Sequence, residues 1–195
     1  AAALAALGAA GAAVRSVAGG DIHQAARAEL PDGPVFIKWN KSPTPGMFAA
    51  EAEGLEALRG AGIGVPRVLG VAEGWLALEW IERGPGGDAA LGEGLARLHR
   101  RTAPRFGWER DNWIGSLVQP NRWTAGLSDF FAEQRIRSMA AGDGVPSALR
   151  RRLDRLCHRL PDLLPDEPPA LLHGDLWGGN WMANRAGVPW IFDPA

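Results

Sequence analysis

Residues 171–181 read LLHGDLWGGNW. One His, one Asp and one Asn stand in a run of Leu, Trp and Gly, and Asn180 follows Asp175 by five positions. Phosphoryl transfer asks for little covalent chemistry from a protein. It needs a carboxylate to orient and accept the proton of an attacking hydroxyl, oxygen ligands for Mg²⁺, and a cation for the phosphates. Asp175 suits the first task and Asn180 the second. A further Asp, Asp193, closes the run PWIFD at 189–193. Mg²⁺ takes one or two carboxylates together with phosphate oxygens and water, so Asn180 and Asp193 are the candidate metal ligands and Asp175 the candidate base. His173 reads as a prop that steadies this loop by hydrogen bonds.

Working outward, residues 4–13 read as an Ala-rich helix broken by Gly8 and Gly11, residues 14–18 as a short strand, and Gly19-Gly20-Asp21 as a tight turn. Residues 22–30 run to the turn signal Pro31-Asp32-Gly33, and VFIKWN at 35–40 is a β-rich strand. Phe48, Ala52, Leu55 and Leu58 repeat at helical spacing within 47–60, with Gly60 as the cap. Two strands flank Glu73-Gly74. Residues 1–81 are therefore expected to form a small antiparallel β lobe with one helix, and ERGPGGD at 82–88 a hinge.

Residues 89–195 turn helical. Apolar faces recur at Leu91, Leu95 and Leu98; at Phe130, Phe131, Ile136 and Met139; and at Leu149, Leu153, Leu156 and Leu160. Residues 108–123 form a loop rich in Trp and Asn, and ALLHGD, WMAN and PWIFD are short apolar pieces near the end. The expectation is an α+β, two-lobed, protein-kinase-like fold: a β lobe, a strap, and a mainly helical lobe that carries the catalytic loop.

That outline places Lys38 on the strand where a phosphate-binding Lys belongs, held by a Glu from the next helix. Glu51 and Glu53 are two residues apart and face different sides of that helix. Glu51 lies one turn before Leu55 and faces the packed side, so it is the expected partner. Lys41 is the alternative cation by charge alone. The turn AGGDIHQA at 18–25, in which Gly19 and Gly20 lack side chains, precedes the Lys strand, and its backbone amides would cover the phosphates.

The 195 residues are 46% apolar and 22% charged, with a formal net charge of −1. That balance argues against nucleic acid or an anionic membrane as partner. The one cysteine, Cys157, excludes an internal disulfide, reads as a half-buried helix thiol, and points to a reducing cytoplasm. Ala and Gly in AAALAALGAAGAAV are too weakly apolar to span a bilayer, and an Ala-rich helix is expected there.

HGDLWGGN at 173–180 followed by DPA at 193–195 resembles the fructosamine kinase (ketosamine-3-kinase) family. GGDI at 19–22, VFIK at 35–38, FAAEAEGLEAL at 48–58, LHR at 98–100, DNWIGSLVQPN at 111–121 and DFFAEQRI at 129–136 carry the same resemblance. It implies ATP and Mg²⁺, and phosphorylation of O3 of a ketosamine on a free or protein-bound amine. The phosphorylated adduct decomposes and frees the amine, a deglycation reaction. The family's base maps to Asp175, its metal ligands to Asn180 and Asp193, and its nucleotide Lys and Glu to Lys38 and Glu51. The strap at Glu79, Trp80 and Ile81 would receive adenine through backbone groups.

Trp177 would stack on a sugar face or pack in the core. Asp111, Asn112 and Gln119 would position substrate or brace the catalytic loop. The family continues past DPA with an acidic, tyrosine-containing segment and further helices, whereas this sequence stops at Ala195 and has no Tyr. The helical lobe is thus expected to be incomplete, with its missing part packing on that lobe and closing the substrate side.

Two other classes stay open. An aminoglycoside or choline kinase would need an acidic cluster for a cationic substrate, but over 102–130 Arg105, Arg110 and Arg122 balance Glu109, Asp111 and Asp129. A non-catalytic nucleotide-binding module would have no need of the base Asp175.

Overall fold

The computed structural model describes residues 1–17 and 23–195. The turn at Gly19 and Gly20 lies outside the described residues. Two compact units are present: residues 1–98 with 173–195, and residues 99–172. This grouping differs from lobes divided at 82–88, because residues 89–98 and the last hairpin group with the N-terminal sheet.

The first unit is built on a five-stranded antiparallel sheet of order β1-β2-β3-β5-β4. Its strands are β1 (Val14–Ser16), β2 (Gln24–Leu30), β3 (Gly33–Trp39), β4 (Val68–Ala72) and β5 (Trp75–Glu79). The turn between β2 and β3 falls at Pro31-Asp32, and Gly33 takes φ 119°, a conformation that glycine adopts without a Cβ penalty.

Side chains on β3 alternate faces. Val35 and Ile37 are buried with Ala28, Ala77 and Ala3, and Leu4, Leu7, Trp39 and Trp75 pack against this cluster. Lys38 points to the opposite face. The N-terminal helix α1 spans only Ala2–Ala6, and Gly8 and Gly11 both have positive φ, which ends it earlier than composition suggests.

Helix α2 (Met47–Leu58) buries Phe48, Ala52, Leu55 and Leu58 as the 3.6-residue spacing predicts. Leu55 and Leu58 are wholly buried, each contributing about 1.5–3 kcal/mol by transfer from water. Helix α3 (Asp88–Leu98) packs on β9 (Pro189–Ile191), which pairs with β8 (Trp181–Ala183). Gly64 N–H donates to the Pro189 carbonyl and Gly64 O accepts from Ile191 N–H, both at 2.9 Å. Gly84 N–H donates to Ala183 O at 2.8 Å. These bonds tie the 181–191 hairpin to the N-terminal half.

In the second unit, the expected loop at 108–123 contains a hairpin, β6 (Asn112–Ile114) with β7 (Leu117–Gln119). Helical backbone runs through α4 (Leu127–Phe130), a π-helical segment (Phe131–Arg137) and α5 (Ser138–Ala140). Helix α6 (Ser147–Leu163) follows and buries Cys157 and Leu160 against Ala132. Cys157 is more buried than expected, and burial pushes its thiol up. ALLHGD forms no strand; among the described residues its β contact is the bridge Thr102–Ala170. Among the described residues no helix is long and apolar enough to cross a membrane.

Candidate active site

All the chemistry-bearing residues expected from HGDLWGGN, PWIFD and the Lys strand fall in the first unit. Lys38 is 5% exposed. Its Nζ lies 2.5 Å from Glu51 Oε2 and 2.9 Å from Asp193 Oδ1. Of the two glutamates weighed, Glu51 is the one turned toward Lys38, whereas Glu53 is exposed. Lys41 is exposed as well.

The cluster holds one ammonium and two carboxylates. Burial drives the Glu51 carboxyl up to about 7; Lys38 opposes this and the charge of Asp193 adds to it. Burial works against the charge on Lys38, but Glu51 and Asp193 outweigh it and hold the ammonium above its ordinary value. Burial likewise works to raise Asp193, and Lys38 outweighs it, holding that carboxyl below the usual range. Glu51 Oε1 is buried without a hydrogen-bond partner among the described residues.

The loop that follows is built on His173, which is 2% exposed. Its Nε2–H donates to the Phe192 carbonyl at 3.0 Å, so its Nδ1 accepts the Asp175 N–H at 3.4 Å. Burial keeps the imidazole below 6.5, in the neutral form these two bonds require. Gly174 has φ +87°, and a Cβ there would lie 1.8 Å from Ala195 O. Only glycine fits at that point. Ala195 N–H in turn donates to His173 O at 3.0 Å.

Asn180, 7% exposed, donates from Nδ2 to Asp175 O at 2.8 Å and to Asp175 Oδ2 at 3.1 Å. Those bonds use its nitrogen and leave its amide oxygen uncommitted among the described residues. Asp193 sits just past β9 at φ 58°, its side chain 44% exposed. A hard oxygen pair of this kind fits Mg²⁺, which needs few protein ligands when phosphates supply the rest. The surplus negative charge around Lys38 fits a cation too. Among the described residues no three His, Cys, Asp or Glu side chains form a metal cage.

Trp177 is 63% exposed, its indole lying over Gly179, so it is not packed in a core. Glu79 ends β5 opposite Val35. Trp80 carries the Arg27 guanidinium 4.9 Å from its ring centroid, and Ile81 is buried.

The remaining three candidates lie in the second unit, where they shape the hairpin. Asp111 Oδ1 accepts from Asn121 N–H at 2.9 Å, Asn112 pairs with Gln119, and Gln119 is buried. Arg135, absent from the sequence reading, donates to Pro120 O and Asn121 Oδ1, both at 2.7 Å. Its place in DFFAEQRI gave no hint of that reach, because the partners lie on another element.

A model of fructosamine kinase matches residues 5–195. The chain belongs to the fructosamine kinase family. This member is 39% identical over 199 residues to a Synechocystis sp. protein named "probable ketoamine kinase", covering 93% of this chain and 65% of that one. The chain therefore spans just under two thirds of that relative's length. The crystal structure of a Thermobifida fusca YX-ER1 protein that carries the name fructosamine-3-kinase superposes with a TM-score of 0.82 at 36% identity, covering 94% of this chain and 68% of that one. An aminoglycoside phosphotransferase crystallised with AMP-PNP and hygromycin B shares the fold at a TM-score of 0.62 and 12% identity, over 97% of this chain and 68% of that one. The architecture is that of the kinase-like phosphotransferases, mixed α and β around an antiparallel sheet.

Proposed function

We propose that this chain carries the catalytic groups of an ATP- and Mg²⁺-dependent kinase that phosphorylates O3 of ketosamines. Its substrates are sugars such as ribulosamine or fructosamine, borne on small amines or on protein lysines. One observation carries the reading: in a chain of the fructosamine kinase family, Lys38 joins Glu51 to Asp193 in the same unit where Asn180 holds Asp175.

In this reading Asp175 accepts the proton of the sugar hydroxyl as its oxygen attacks the terminal phosphorus, and ADP leaves. The bond from Asn180 orients the carboxylate for that task. Lys38 steadies the phosphates and Glu51 keeps Lys38 in place. Asn180 and Asp193 are the residues that would hold Mg²⁺, which when bound neutralises phosphate charge. The segment Glu79–Ile81 receives adenine through backbone groups, and Trp177 offers its open indole face to the sugar. The phosphorylated ketosamine then breaks down and frees its amine. ATP supply and the unpaired Cys157 suit a cytoplasmic setting.

The test is Mg²⁺-dependent ADP release from ATP, with and without ribulosyl-lysine or fructosyl-lysine, on this chain and on a longer family member. Stimulation by the ketosamine is expected. A longer member that ignores both ketosamines yet phosphorylates another alcohol would overturn the reading.

A further inference from the structure

Arg27 has no part in the chemistry described above, yet it reaches the strap from the sheet. In the β2–β3 register it lies opposite Phe36, and Phe36 lies opposite Leu78 on β5, so Arg27 stands on the face of the sheet that carries Lys38. Its guanidinium makes three contacts. Nε donates to Glu29 Oε1 at 2.8 Å on its own strand, Nη1 donates to Glu82 Oε1 at 2.9 Å, and Cζ lies 4.9 Å from the centre of the Trp80 ring. Glu29 aims the fork, and the other two contacts bracket the buried Ile81. Trp80 Nε1 is enclosed without a hydrogen-bond partner among the described residues, so packing and the Arg27 cation hold that indole. Glu82 Oε2 also lies 3.7 Å from Arg185 in the turn between β8 and β9. The side chains of Arg27 and Glu82 are 29% and 42% exposed, so solvent keeps their ion pair modest by itself. Its effect lies in where it acts: one guanidinium grips both sides of a single strap residue.

We propose that Arg27 is a positioning residue for the base of the nucleotide: by holding Trp80 and Glu82 it sets the spacing between β2 and the strap Glu79–Ile81, and with it the affinity for adenine. A guanidinium suits this task because its planar face covers the indole while its edge donates to both carboxylates, which an ammonium cannot do together. This assignment rests on the kinase reading above, in which adenine meets the strap.

Calorimetric titration with ADP, adenosine and inorganic tripolyphosphate separates the two. The parent chain is expected to bind all three, ADP most tightly. A parent that binds none overturns the kinase reading, one that binds tripolyphosphate alone overturns the placement of adenine, and this assignment falls with either. Arg27→Met keeps the aliphatic stem and removes the cation and both donors. It should weaken adenosine and ADP alike by about threefold to tenfold, the range for a cation–π contact together with one partly exposed ion pair, and leave tripolyphosphate within about twofold. Arg27→Lys should recover the part of the loss carried by the charge over Trp80. Adding Glu82→Gln to Arg27→Met should weaken adenosine no further, because both changes act through the same strap. With the parent binding as expected, unchanged adenosine affinity in Arg27→Met, an equal loss for tripolyphosphate, no recovery by Lys, or additive losses in the double variant would each refute the positioning role and leave Arg27 as a surface brace between β2 and the strap.

Discussion

Gly64 holds the Asp193 side of the site in register, and replacing it with Ala is the most informative single perturbation. Gly64 sits between two hydrogen bonds to β9, to Pro189 O and from Ile191 N–H, and β9 ends two residues before Asp193. An added Cβ would lie 2.4 Å from Trp190 Cδ2 and 2.6 Å from Cγ and Cε2. No real contact is that short, so either the indole or β9 must move. Overpacking of this kind costs about 1–3 kcal/mol. Loss of the two backbone bonds adds about 1 kcal/mol each. Gly64→Ala should therefore destabilise by about 3–5 kcal/mol, against the about 5–15 kcal/mol that holds a typical domain.

Urea unfolding followed by Trp fluorescence gives the comparison. Gly92→Ala in α3 serves as the opposite case, since its Cβ meets nothing within 4 Å. A helical Gly→Ala exchange in open space should stabilise by about 0.5–1 kcal/mol. The expected order of midpoints is Gly92→Ala above the parent and Gly64→Ala well below. A Gly64→Ala midpoint equal to the parent's would refute the reasoning, because the seating of β9 would then not depend on close approach.

Three further outcomes are expected. Asp175→Asn should keep nucleotide affinity in calorimetry but lower turnover by about 10²–10⁴-fold, as when a positioned proton acceptor is lost; near-normal turnover would remove Asp175 as the base. Glu51 is raised from 4.5 to about 7, so its share of stability is complete below pH 4.5 and declines as pH rises through about 7. Urea midpoints should accordingly fall less between pH 5 and pH 8 in Glu51→Gln than in the parent, and parallel pH profiles would contradict this. Arg135→Met removes two donors to Pro120 O and Asn121 Oδ1, and should cost about 1.5–3 kcal/mol by the same urea assay, with no change taken as evidence that the hairpin holds without it.

Much of the sheet was legible because each strand carries its own punctuation. Pro31-Asp32-Gly33 and Glu73-Gly74 mark the turns, and the Val35/Ile37 alternation fixes which face Lys38 takes. The choice of Glu51 over Glu53 followed from helical phase relative to Leu55, and the observed ion pair has that phase. Three-residue strands are too short to show alternation, which is why β6 and β7 hid in a loop rich in Trp and Asn. The contact between Lys38 and Asp193 spans 155 positions, and no local pattern encodes it. Gly64 against Trp190 is of the same kind.

The charge balance of the Lys38 cluster ties these features together. A single ammonium with a carboxylate on each side leaves one negative charge uncompensated when all three groups are ionised. Burial makes that surplus costly, and Glu51, the more enclosed carboxyl, responds by titrating near neutrality. A triphosphate alone would add more negative charge to the same place. Binding of such a ligand is therefore favourable only if positive charge comes with it, and under the proposed function the exposed side of Asp193 and the amide oxygen of Asn180 would meet that cation. The arrangement that lets Lys38 anchor two distant segments is thus the same one that leaves the cluster short of one positive charge.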